Sequence, residues 1–100
     1  MPERRLHQRV SGPFEGHWHG GSGATECRVS DVSLGGCFVQ TLVQPTAGEE
    51  TEVMVRFGPD EAITLSGRVV YAEPGLGFAM KFRDLTPDET ARLKKYLHLE

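Results

Sequence analysis

Long apolar runs are missing from this 100-residue sequence. The longest is about the length of Val69-Val70-Tyr71-Ala72, whereas a membrane-spanning helix needs roughly 18–20 such residues. Cysteine is scarce. Cys27 and Cys37 are the only two, with no CxxC spacing, and both fall in segments that alternate like strands, so buried free thiols are expected. The opening Met-Pro-Glu-Arg-Arg-Leu-His lacks the apolar stretch of a secretory signal, and a cytoplasmic protein with reduced thiols is expected. No P-loop, no Ser/His/Asp set in recognisable context and no carboxylates paired across a plausible cleft occur, so the sequence does not read as an enzyme. Nor is there a surplus of positive charge. The formal net charge of −3 is a poor start for a nucleic-acid binder, and neither DNA nor RNA is an expected partner.

What is present suits a small globular fold. Hydrophobic residues make up 38% and charged residues 25%, enough apolar side chain to offset the entropy of ordering. No repeat, low-complexity tract or linker divides the chain, which reads as one domain over residues 1–100. A chain of this size buries only about two-thirds of its unfolded surface, leaving one modest core and little room for a deep pocket. Binding on the surface fits better. Charge is unevenly laid out: residues 1–9 hold three arginines against one glutamate, while residues 10–80 hold three arginines against nine acids. A basic arm, assigned to residues 1–12, therefore precedes an acidic body and can act as an anion clamp.

Twelve glycines and six prolines punctuate short alternating segments. Phe14 to His19 reads as a strand closed by Gly20-Gly21-Ser22-Gly23. From Ala24 to Ser33, the odd positions Thr25, Cys27, Val29, Asp31 and Ser33 are predicted to share one side of a strand. Gly35-Gly36 breaks it, and Cys37 to Val43 begins the next. Val53, Val55 and Phe57 alternate with Glu52, Met54 and Arg56; Ile63, Leu65, Gly67, Val69 and Tyr71 form one face of a further strand; Phe78, Met80 and Phe82 give the last its core face. Six short strands over residues 13–83 predict a small antiparallel barrel or sandwich. The period then changes. Thr86-Pro87-Asp88-Glu89 supplies an N-cap, a first-turn proline and a capping-box glutamate for a helix over 86–98, with Leu93, Tyr96 and Leu97 inward and Arg92, Lys94 and Lys95 outward. Leu99-Glu100 reads as a cloning remnant outside the functional argument.

Two short constellations carry chemistry. Arg5-Leu6-His7-Gln8-Arg9 is an RxxxR preceded by Arg4, and Asp31-Val32-Ser33-Leu34-Gly35-Gly36 is a DxSxxG. In this order, ahead of a β-rich body, Gly67-Arg68-Val69-Val70, Gly75 to Phe82 and a capped helix ending in Tyr96-Leu97, the chain resembles the PilZ domain family. That family is the bacterial receptor module for cyclic di-GMP. The resemblance implies an all-β fold with a C-terminal helix, a six-stranded antiparallel barrel whose arginine loop folds over the nucleotide. It implies ligand contacts at Arg5, Arg9, Asp31, Ser33 and Gly36, beside which Arg4 and Gly35 are added as candidates, together with a downstream protein partner and a setting in motility, biofilm or surface-polysaccharide control. No cofactor or metal is implied.

The chemistry suits the ligand. Cyclic di-GMP carries two phosphodiester anions and two guanines, and the arginine fork matches both a phosphate and the O6/N7 edge of guanine. A carboxylate at Asp31 can accept from guanine N1–H and the exocyclic amine. Ser33, two residues on, is predicted to put its hydroxyl on the same strand face, and Gly36 leaves room for close backbone approach. Arg4 adds a third planar cation, suited to stacking a second, intercalated ligand molecule. Other readings stand beside these. Arg5 and Arg9 also suit a solubilising tail, Asp31 and Ser33 suit turn chemistry, and Gly35-Gly36 suits a bulge. His17 and His19 share a strand face but match no strong zinc spacing, even with Cys27 nearby. Trp18 reads as core or as the cap of a ligand face, and His7 as a spacer or a phosphate contact. The alternative function is a nucleotide-free adaptor acting by protein contact, as in pilus biogenesis; adaptors of that kind typically lack the motifs that this chain keeps.

Overall fold

Alternation of buried and exposed residues along six segments closes a single sheet on itself. The computed structural model describes residues 10–21 and 23–99. Its elements are β1 (Phe14–Gly20), β2 (Gly23–Ser30), β3 (Gly36–Gln40), β4 (Glu50–Gly58), β5 (Glu61–Glu73), β6 (Gly77–Phe82) and α1 (Pro87–Leu97). The strands form a closed antiparallel barrel in the order β1-β2-β3-β6-β5-β4, each pairing with two neighbours, β2 with β3 only through Arg28, Val29 and Ser30. Inward side chains build the core: Trp18 from β1, Val29 from β2, Val39 from β3, Val53 and Val55 from β4, Leu65 and Val69 from β5, Phe78 and Met80 from β6. Trp18 and Phe78 meet edge to face at 5.2 Å in its middle.

The helix caps this barrel against β5. Thr86 Oγ1 accepts from the Glu89 backbone N–H while a Glu89 carboxylate oxygen accepts from the Thr86 N–H, the reciprocal capping box expected. Leu93 and Leu97 are buried, and Tyr96 lies 5.5 Å from Phe57, itself 4.7 Å from Phe14. Arg92 departs from the expected solvent face: it donates to the Ala62 carbonyl at 2.8 Å and lies over the Tyr96 ring. Leu99 is also no bystander. Its N–H donates to the Lys94 carbonyl past a left-handed His98, and its side chain packs on the core.

Three strand assignments change. The segment from Ala24 leaves the sheet at Ser30 rather than Ser33, and β3 stops at Gln40 rather than Val43. Tyr71 leaves the core face because the β5–β6 register shifts between Val69 and Tyr71, turning both Val70 and Tyr71 outward. Cys37 is buried as expected, whereas Cys27 is only half-buried; both are free thiols.

Candidate functional site

The DxSxxG segment is a turn rather than the end of a strand. Asp31 adopts a left-handed φ of 51°, a conformation aspartate tolerates better than most residues, and its N–H donates to the Ser11 carbonyl at 3.0 Å. The expected shared strand face therefore does not exist: the Asp31 side chain is exposed while Ser33 is buried. Two residues share a face only when both lie in extended backbone, and the reversal at Asp31 breaks that period. The Ser33 hydroxyl accepts from the N–H groups of Gly35 and Gly36 at 3.0 and 3.2 Å, and the Ser33 N–H donates to the Gly36 carbonyl at 2.9 Å. Ser33 thus closes the turn. The Gly35 carbonyl accepts from the Phe82 N–H at 2.8 Å, fastening the turn to β6. A Cβ on Gly36 would stand 2.3 Å from the Met80 carbonyl oxygen, so the glycine is required by the approach of β3 to β6.

The turn also holds Val10, the residue that follows the arginine segment. Val10 and Val32 exchange both backbone hydrogen bonds, at 2.8 and 2.9 Å, in an isolated antiparallel bridge. Val32 is fully buried and Val10 packs against the core, so residues 10–12, assigned to the arm by sequence, form part of the folded body. Gly12 follows with φ 77°, a value side chains rarely adopt, and this turns the chain into β1. Arg4, Arg5, Arg9 and His7 lie outside the described residues, but Arg9 is bonded directly to the bridged Val10. The structure therefore gathers Asp31, Ser33, Gly35 and Gly36 in one turn and bridges Val10, the residue that follows RxxxR, to it.

Beside the turn, the outer wall of β5 and β6 bears cations that sequence reading did not single out. The register runs Gly36 opposite Lys81, Lys81 opposite Arg68, and Arg68 opposite Glu50, one outward row across β3, β6, β5 and β4. Arg68, Lys81, Arg83 and Asp84 line an open groove of about 640 Å³, and Glu50 within it pairs with Arg83. The outward position of Arg68 was legible from its alternation with Gly67 and Val69; its proximity to Gly36 depends on strand order and was not.

The remaining candidates resolve as structure. Trp18 is fully buried in the core. His17 and His19 face outward, with His19 3.4 Å from a Glu52 carboxylate oxygen, and no metal-holding group of three His, Cys, Asp or Glu occurs among the described residues. Burial pushes the Cys27 thiol up to about 11 and Cys37 still higher, so neither is a ready nucleophile. No described helix is long and apolar enough to cross a membrane.

Comparison with known proteins agrees with this architecture. The PilZ domain profile matches residues 3–99. The chain belongs to the PilZ domain family. Its barrel resembles the solved structure of the Bacillus subtilis inhibitor of motility MotI/DgrA, with a TM-score of 0.75 at 15% identity, over 97% of this chain and 50% of that one. It also resembles the Borreliella burgdorferi PlzA protein, solved in complex with c-di-GMP, with a TM-score of 0.65 at 14% identity, over 95% of this chain and 41% of that one. This PilZ chain thus spans half or less of either neighbour. No curated protein matches its sequence significantly.

Proposed function

We propose that this PilZ domain is a receptor for cyclic di-GMP, a binding switch rather than a catalyst. The observation that supports the reading is the Val10–Val32 bridge, which holds the residue following the RxxxR segment against the residue following Asp31. Arg5 and Arg9 take phosphate and guanine edges, and the exposed Asp31 carboxylate accepts from a guanine. Arg4 stacks on a second, intercalated molecule, giving two ligands per chain. Ser33 acts by holding the turn that presents Asp31. Binding closes residues 1–9 onto the barrel, and the surface so formed, ligand included, engages or releases a protein partner. An acidic body is compatible with an anionic ligand because carboxylates beyond about 8–10 Å are screened, while the guanidinium groups act at contact.

Isothermal titration calorimetry tests this directly. Charge-assisted hydrogen bonds contribute about 1.5–3 kcal/mol each, so Arg5→Ala and Arg9→Ala should each weaken binding roughly tenfold or more. Unchanged affinity in both would make the segment a bystander, and no binding by the unaltered chain would favour the adaptor alternative. Saturation at one ligand per chain would remove the role given to Arg4.

A further inference from the structure

Among the described residues, the Arg68–Lys81 row has no ion-pair partner. These residues are directly opposite across β5 and β6, and both side chains are exposed. Like charges placed directly opposite in an antiparallel pair oppose each other. The acid next along the row, Glu50, is engaged by Arg83, and among the described residues no carboxylate forms an ion pair with Arg68 or Lys81. Residues 10–80 hold nine acids against three arginines, so this repulsion arises where compensating charge is plentiful. An anion seated between the two side chains would relieve it.

The position of the row indicates which anion. Lys81 is opposite Gly36 of the DxSxxG turn, and Arg68 is one strand further on, about 5 and 10 Å away by strand spacing. That is the span of a small cyclic dinucleotide, whose two phosphodiesters lie on opposite sides of one macrocycle. Building on the cyclic di-GMP reading, we infer that Arg68 and Lys81 form a second phosphate-binding wall. They hold one phosphodiester of the ligand in the groove along β5 and β6, on the side of the DxSxxG turn where Lys81 stands opposite Gly36.

Titration calorimetry of the full chain with cyclic di-GMP, using Arg68→Gln, Lys81→Gln and, as a control on another face, Arg56→Gln, separates the outcomes. Arg68→Gln and Lys81→Gln are expected to weaken binding at least fivefold each, with Arg56→Gln within twofold of the unaltered chain. The charge-keeping Arg68→Lys and Lys81→Arg should stay close to the unaltered affinity, which guards against a folding effect. Thermal midpoints of the ligand-free glutamine variants should be unchanged or higher, since repulsion is removed. Tight binding by the unaltered chain with both glutamine variants within twofold of it would overturn this inference and leave the receptor reading standing. Equal weakening by Arg56→Gln would also overturn it, by showing a general charge effect. No binding by the unaltered chain would overturn the receptor reading and this inference together.

Discussion

Asp31 and Ser33 sit two residues apart and do opposite jobs. Asp31 presents an exposed carboxylate from a left-handed backbone, while the Ser33 hydroxyl is occupied by the N–H groups of Gly35 and Gly36. Asp31→Asn keeps a residue that tolerates this backbone, so it should hold stability within about 0.5 kcal/mol while reducing cyclic di-GMP affinity. Ser33→Ala leaves two N–H groups without their acceptor and should cost roughly 1–3 kcal/mol by urea denaturation. If the two variants exchanged these signatures, the division of roles would be wrong. The thiols give a pH prediction. The unfolded chain releases a Cys27 proton near the ordinary value of 9.0, the folded chain only near about 11. Between these values the folded state binds more protons, so the Cys27 contribution is intact below pH 9.0 and is lost as pH rises through about 11. The Cys27→Ser variant should therefore lose less stability than the unaltered chain between pH 8 and pH 11, measured by urea midpoints.

Among the elements, α1 has the most local determinants. Thr86 and Glu89 form a complete capping box and Pro87 stands in the first turn, so its start was legible from four consecutive residues. Thr86→Ala should cost about 1 kcal/mol of stability. Leu93→Ala should cost about 2–5 kcal/mol because it opens a cavity where the helix seals the barrel, and equal effects of the two substitutions on the melting curve would contradict this packing. The six strands were legible for a similar reason, since alternation in Val53-Val55 or Phe78-Met80-Phe82 is written in each segment alone. What could not be read depends on a partner strand. The outward turn of Tyr71 follows from a register shift against β6, and Val32, past the left-handed Asp31, pairs with Val10 instead of continuing β2. The motif residues were found by spacing, whereas the reason for Gly36, contact with the Met80 carbonyl, appears only when β3 meets β6.

At the scale of the whole molecule, closure of the barrel gives the site a stiff platform. The DxSxxG turn is fastened on one side to β6 through Phe82 and on the other to the chain following RxxxR through Val10 and Ser11. On the proposed reading, a ligand held there by Arg5 and Arg9 would join the basic segment to a surface that need not itself rearrange. Hydrogen exchange with and without cyclic di-GMP tests that claim most directly. Amides of residues 4–9 should slow on ligand addition, while those of Val10 and Val32, already bonded to each other across the bridge, should be slow in both states. Saturating ligand that leaves residues 4–9 exchanging at their ligand-free rates would contradict it.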